Sequence, residues 1–397
     1  MDILSPTSLD EVRDIIRNCL SDETSLSLRG AGTKSSLGNP VVADAQMQLS
    51  GMSGIITYEP EELILVARAG TELTEIEALL EAHNQMLSFE PFHPEILYGG
   101  TSSGTIGGMV GAGLSGPRRI ASGGVRDYLL GFNAVSGRGD IFQSGSRVMK
   151  NVTGYDLSKL MAGSFGTLAI MDEITIKVLP APETSVSLVV SCSDLASAQA
   201  ACSQAFASAH EPTAACILPR DIAANVNLGG DAFAAIIRLE GVEVSVANRL
   251  TEMQNLLGPI GELHSLTQEL SANLWRQVRD AAFFNETHEQ IWKLSVAPTA
   301  CVGIVNKIKT SIDASYFMDW AGGLIWLAGA GERLGADIRD VMASNGGGHA
   351  TLMRASDDRR QNISVFQPQA PALMSLHTRI RRAFDPKQLL NPGRMGA

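Results

Sequence analysis

Residues 99–124 carry ten glycines in twenty-six positions, a density that no regular helix or sheet explains. Glycine is used this heavily where backbone must take φ > 0 or approach a ligand closely. A low-complexity linker would share the composition. Here Ile106, Met109, Val110 and Leu114 are interleaved with the glycines, so the segment reads as a binding loop held between ordered elements.

Those elements alternate between helix and strand. Ser8-Leu9-Asp10-Glu11 forms a capping-box pattern in which Glu11 reaches back to the Ser8 amide. Leu9, Val12, Ile16 and Leu20 then share one helical face. Residues 25–28 alternate as a strand that runs into Arg29-Gly30-Ala31-Gly32-Thr33-Lys34. Residues 55–58 and 63–67 pair across a turn at Glu59-Pro60. Leu73, Ile76, Leu80 and His83 mark an amphipathic helix capped by Thr71. Asp156 caps a short helix that stops at Gly163, and 168–178 reads as a strand ended by Leu179-Pro180-Ala181-Pro182-Glu183.

A domain boundary is placed there. Beyond it, strands at 186–190, 214–218, 233–239 and 291–296 alternate with helices at 195–209, 244–257 and around Trp275. Another α/β set runs to about Ser344. This order resembles a repeated β-α-β and predicts an antiparallel sheet with helices on one face, hence an α+β fold class. Trp320 and Trp326 lie in this part, where core packing is their ordinary use and a ligand or subunit face the alternative.

The chain has 397 residues, 45% hydrophobic and 18% charged. That length allows two or three domains, and that apolar content excludes a disordered chain. Lys and Arg number 31 against 42 Asp and Glu, a formal charge of −11, which disfavours nucleic acid and anionic membranes as partners. Five cysteines (Cys19, Cys192, Cys202, Cys216, Cys301) show no CxxC pair and fit a reducing compartment without a zinc site. The N-terminus turns acidic at once, unlike a signal peptide. The most apolar run, 322–330, is far below the roughly 20 residues that span a bilayer. A cytoplasmic location is expected, with any peripheral contact at the inner membrane made through partners.

Several motifs fail on context. Gly111-Ala112-Gly113-Leu114-Ser115-Gly116 matches GxGxxG, but no apolar strand precedes it, and Ser136 stands at the acidic spacing of a Rossmann site. Gly32-Thr33-Lys34-Ser35 resembles the end of a P-loop, yet Thr33 replaces the required glycine. Such a turn can still form an anion-binding nest. Ala162-Gly163-Ser164-Phe165-Gly166 has the helix before and the strand after, the reverse of a hydrolase elbow. Seven histidines show no metal spacing, and no metal site is expected. Of these, His349, after three glycines, is the one to keep. Arg126 and Asp127 fit a turn salt bridge as well as a ligand contact.

Taken together, five segments resemble one family. Arg29-Gly30-Ala31-Gly32-Thr33-Lys34-Ser35 resembles the first pyrophosphate loop of the vanillyl-alcohol-oxidase-type (PCMH-type) flavoproteins. Gly104-Thr105-Ile106-Gly107-Gly108, with Leu114-Ser115-Gly116, resembles their second loop. Ser164-Phe165-Gly166-Thr167-Leu168-Ala169-Ile170 resembles the segment that lies along the flavin. Lys150-Asn151-Val152-Thr153-Gly154-Tyr155-Asp156, together with Phe384-Asp385-Pro386 and Leu390-Asn391-Pro392-Gly393-Arg394, resembles the glycolate and D-lactate dehydrogenase branch. Within it the likeness is to the FAD-binding E subunits of bacterial glycolate oxidases (glycolate dehydrogenases).

The resemblance implies a two-part FAD domain over 1–180, an α+β (ferredoxin-like) cap over 181–345 and a C-terminal segment, 346–397, returning to the FAD domain. It implies FAD, bound non-covalently because Thr33 stands where relatives carry an attachment histidine. Two glycine loops presenting amides would suit the pyrophosphate. The implied partners are a larger FAD-containing subunit, an iron–sulfur subunit and, for the complex, glycolate. Relatives also carry a metal-binding histidine pair, of which His349 remains while Ser356 stands at the second position. If this chain is itself catalytic, His349 is the candidate base and Arg354 the carboxylate clamp. Its alternatives are a self-sufficient FAD-dependent 2-hydroxy-acid dehydrogenase and a non-catalytic scaffold.

Overall fold

The first helix, Leu9–Asp22, begins where its capping residues place it, with Ser8 Oγ accepting from the Glu11 amide at 3.3 Å. The reciprocal bond reaches one residue further back than the pattern implies. Glu11 Oε2 takes the Thr7 amide at 2.7 Å rather than that of Ser8. The buried face of this helix, Val12, Ile16 and Cys19, packs in one cluster with Leu26, Met47, Val135, Ile170 and Leu390.

The computed structural model describes residues 2–145, 155–228, 231–284 and 289–396; most of the 150–156 motif therefore lies outside the described residues. The chain divides into two units. The first takes Met1–Ser115, Gly123–Ala181 and Pro368–Ala397. It contains a parallel sheet in the order Asp2–Leu4, Ala45–Gln48, Leu26–Arg29. Its second sheet is antiparallel, in the order Ile55–Glu59, Ile64–Arg68, Ala169–Lys177, Leu129–Ser136, Ile141–Gly145. Ile64–Arg68 is a continuous apolar run that is buried up to Arg68, as a central strand covered on both faces requires. Arg68 fixes it to the next strand through Asp172 at 2.6 Å.

Two local expectations are corrected here. The helix Leu73–Glu81 has Glu72 as its N-cap and no side-chain cap. Thr71 is instead drawn to the preceding turn, its hydroxyl accepting from Gly54 N at 2.9 Å and donating to Arg68 O at 2.7 Å. The glycine-dense segment contains a helix after all, Ile106–Ala112. It tolerates Gly107 because that residue passes so close to Ala69 that a Cβ would fall 2.7 Å from its carbonyl oxygen.

The C-terminal segment is stitched to the parallel sheet. Leu26 N donates to Leu389 O at 2.7 Å and Asn391 N to Leu26 O at 2.8 Å. Asp385, fully buried, accepts the amides of Leu389 and Leu390 at 3.1 and 2.8 Å.

The second unit takes Gly116–Ser122 and Pro182–Gln367. Its sheet has eight antiparallel strands in the order Glu262–Thr267, Thr184–Cys192, Phe233–Gly241, Ala214–Leu218, Ala314–Asp319, Leu324–Gly329, Gln290–Ser295, His349–Arg354. Helices Leu195–Ala207, Glu243–Leu257, Cys301–Ser311 and Leu334–Ala343 pack on one face.

A further helix departs from the one-face expectation. Gln268–Arg279 lies on the opposite face, where Trp275 Nε1 donates to Ser187 Oγ at 2.7 Å. Another difference is the boundary. His349–Arg354 is a strand of this sheet, paired with Gln290–Ser295, so the chain leaves the unit after Gln367 rather than after residue 345.

The short stretch Gly116–Ser122 belongs here because Arg118 forms two bonds to Glu240, at 2.9 and 2.6 Å. Burial alone would raise the Glu240 carboxyl, but Arg238, Arg118 and the Thr213 hydroxyl together bring it down to about 2. Among the described residues, no helix is long and apolar enough to cross a membrane.

Candidate cofactor site

The strand Leu26–Arg29 ends in the first glycine loop, and the chain turns there with Gly32 at φ +77°. The amides of Gly30, Ala31, Gly32, Thr33 and Lys34 donate no hydrogen bond among the described residues. Neighbouring N–H groups left open in this way are able to receive an anion. The Arg29 guanidinium lies over Gly32, where a Cβ would clash with it.

The second segment packs directly against the first. A Cβ on Gly30 would fall 2.6 Å from Thr105 Oγ1, and one on Gly104 would fall 2.7 Å from both Thr33 Oγ1 and Lys34 Nζ. Its own amides are mostly engaged. Ile106 N donates to Thr71 O, Gly107 N to Ala69 O, and Gly108 N to Thr105 Oγ1. The expectation that both loops present free amides therefore holds for the first alone. The glycines of the second serve close packing.

The third segment closes on the second. Gly163 N donates to Val110 O and Phe165 N to Gly111 O, at 2.9 and 2.8 Å. Phe165 and Gly166 are consecutive left-handed residues, φ +53° and +66°. For a phenylalanine that costs roughly 1–2 kcal/mol, and the surrounding bonds hold it. Thr167 Oγ1 donates to Ser164 O at 2.7 Å. Leu168 and Ile170 are buried, and Ile170 sits in the core beside Val12 and Ile16. These two shape the site from behind.

The C-terminal signature is the clamp. Asn391 accepts from Leu28 N and donates to Phe165 O, both at 2.8 Å, so one side chain joins the first loop's strand to the third segment. Arg394 donates to Lys34 O at 2.8 Å and to Ser35 O at 3.1 Å. Asn39 N and Asn39 Nδ2 return bonds to Arg394 O and Gly393 O. Sequence reading found this motif by likeness alone, because nothing local reveals which carbonyls the arginine will meet.

One charged group inside the site suits an anion. Lys34 Nζ makes no hydrogen bond or ion pair among the described residues, and burial lowers the group to about 8 despite Glu95 nearby. Glu95 Oε2 and Ser103 Oγ, beside the second loop, are buried without a hydrogen-bond partner among those residues. Open amides with one ammonium beside them offer donors and positive charge to an anion.

Other expected site residues lie elsewhere or are otherwise occupied. Leu114 is buried. Ser115 Oγ accepts from Val125 N at 3.0 Å. Gly116 belongs to the second unit, its carbonyl taking a bond from Trp320 Nε1 at 3.1 Å. His349 and Arg354 stand opposite Ser295 and Ile291, at the two ends of one strand. Four positions of strand separate those registers, about 13 Å at roughly 3.3 Å per residue.

They share a face only because a β-bulge between them shifts the alternation. Between them, opposite Thr351, is Lys293, with Nζ 4.9 Å from the Trp320 ring and burial lowering its pKa to about 8. Its strand position gave no sign of this, because its neighbours Trp320 and Arg119 come from distant segments. Ser356 caps the helix Asp357–Asn362 through the Arg359 amide at 3.4 Å.

Comparison with known proteins identifies the family. Residues 3–145 match the family model for an FAD binding domain, and residues 364–395 that for the C-terminal domain of FAD linked oxidases. The chain is 36% identical over 386 residues to glycolate oxidase subunit GlcE of Escherichia coli (strain K12), covering 96% of this chain and 95% of that one. It is 29% identical to glycolate oxidase subunit GlcD of Bacillus subtilis (strain 168), covering 47% of this chain and 38% of that one. The fold matches p-cresol methylhydroxylase with a TM-score of 0.74 at 15% identity, covering 99% of this chain and 88% of that one. A likeness running the length of both chains and two matching family models lead to one conclusion: this chain belongs to the GlcE family of glycolate oxidase subunits, FAD-dependent oxidoreductases of the PCMH-type fold.

Proposed function

We propose that this chain is the FAD-binding subunit of a glycolate dehydrogenase complex that oxidises glycolate to glyoxylate and passes electrons to an iron–sulfur subunit. The observation that carries the cofactor half is the run of five unpaired amides in the first glycine loop. In this reading, residues 29–35 hold the pyrophosphate. Gly104, Thr105, Ile106, Gly107 and Gly108 form the wall behind it. Ser164, Phe165, Gly166 and Thr167 line the ring system. Thr33 offers a hydroxyl where covalent attachment needs an imidazole, so the cofactor is held non-covalently.

When bound, FAD supplies a two-electron acceptor. Glycolate oxidation also requires a base for the hydroxyl proton and a cation for the carboxylate, aligned on one small molecule. The backbones of His349 and Arg354 stand about 13 Å apart along the strand, and Ser356 serves as a helix cap. This separation favours a division of labour. A larger flavin subunit performs the substrate chemistry, and this chain relays electrons or supports assembly.

A second reading has one observation in its favour. The bulge brings Arg354 to the face that His349, Thr351 and Lys293 already share, as a self-sufficient 2-hydroxy-acid dehydrogenase would need.

A visible absorption spectrum of the purified chain, before and after anaerobic glycolate, separates the readings. An oxidised-flavin band that glycolate leaves unbleached is the expected result. Bleaching by glycolate would move catalysis onto this chain. No flavin band after reconstitution with FAD would leave a scaffold.

A further inference from the structure

We propose that the Lys34 ammonium is the charged ligand of the FAD pyrophosphate, placed between the two glycine loops and acting with the five amides beside it. The inference deepens the cofactor reading and rests on it. Its first support is position. Nζ lies where a Cβ on Gly104 would meet it at 2.7 Å, and 3.8 Å from the corresponding point on Gly108. Both residues are glycine, so the ammonium reaches the seam between the loops instead of being turned out of it.

The second support is what the ammonium lacks. Lys34 Nζ has no hydrogen-bond or ion-pair partner among the described residues, although it is half-buried. Glu95 is near enough for its charge to act on Lys34. Its Oε2 nonetheless stays buried, without a hydrogen-bond partner among the described residues, rather than closing on the ammonium. A buried charge without a partner is costly, and an anion between loop and lysine removes that cost.

The third support is the fixed backbone. Lys34 O accepts from Arg394 at 2.8 Å and from Leu37 N at 3.1 Å. The loop is thus held from the C-terminal side while the lysine side chain remains available.

The test is titration of the FAD-free full chain with FAD and with ADP, by calorimetry, at low and high salt. Lys34→Gln should weaken both ligands by about tenfold or more, the size of one charge-assisted bond. Lys34→Arg should recover most of that loss. The salt dependence of FAD binding should be shallower in Lys34→Gln than in the wild type, because one screened charge pair is gone. Thermal unfolding of each variant checks that it folds. Unchanged affinity in Lys34→Gln would overturn the proposal. So would a loss with the wild-type salt dependence, which would mark a role in loop shape. A wild-type chain that binds ADP but not FAD, or neither, would sink the cofactor reading and this proposal with it.

Discussion

The first and second glycine loops are alike in composition and opposite in use. Along the first, Gly30 to Lys34 keep their amides unpaired among the described residues. Along the second, Ile106, Gly107 and Gly108 give theirs to Thr71 O, Ala69 O and Thr105 Oγ1. Glycine density therefore reports two demands that sequence cannot separate, an open nest for an anion and close approach of two pieces of backbone. Only an account of where each N–H goes tells them apart.

The largest effect should come from the packed loop. Gly107→Val would push a side chain to 2.7 Å from Ala69 O and 2.8 Å from Ala69 Cβ, and overpacking there should destabilise by about 3 kcal/mol. Chemical denaturation measures it. A variant as stable as the parent would show that this loop is not tightly packed, and the contrast between the loops would dissolve. Asn391→Leu comes next. It leaves Leu28 N and Phe165 O without their partner, a loss of about 2 kcal/mol in stability that should appear with weaker FAD binding.

In the open loop the balance should reverse. Gly32→Ala must hold a Cβ at φ +77° against the Arg29 guanidinium. We expect about 1 kcal/mol of lost stability but at least a tenfold loss of FAD affinity, read by the fluorescence of released flavin. Equal effects on stability and binding would place both loops in the same class.

The smallest effect is on pH. Burial favours the neutral amine of Lys34, Glu95 opposes it, and the group rests at about 8. Below that pH the ammonium is already formed. Above it, anion binding must draw a proton back, so FAD affinity should fall as pH rises, by up to about tenfold per unit. Affinity that stays flat through pH 8 and beyond would remove Lys34's charge from the site.

Features carried by neighbouring residues were legible in the sequence. The Ser8 cap, the strand pair across Glu59-Pro60 and the alternation of helix and strand in the second unit follow from local propensity and periodicity. The strand Glu262–Thr267 was not legible, because it lies at a sheet edge, is largely exposed and shows no apolar alternation. The allegiance of Gly116–Ser122 was hidden for another reason. It depends on Arg118 finding Glu240, 122 positions away. His349 and Arg354 looked like one site because they are neighbours in sequence, and a strand's rise per residue keeps them apart.

The sequence by itself determined the family, the cofactor class and the α+β architecture, since glycine-bearing motifs in fixed order and apolar periodicity are properties of short stretches. Tertiary structure decided which glycines keep free amides. It placed Arg394 on the carbonyl of Lys34 from 360 positions along the chain, and it set the Lys34 ammonium between two loops with no partner among the described residues. Local propensity sets which bonds a residue is able to make, but the partner is chosen by what the folded chain brings within about 3 Å.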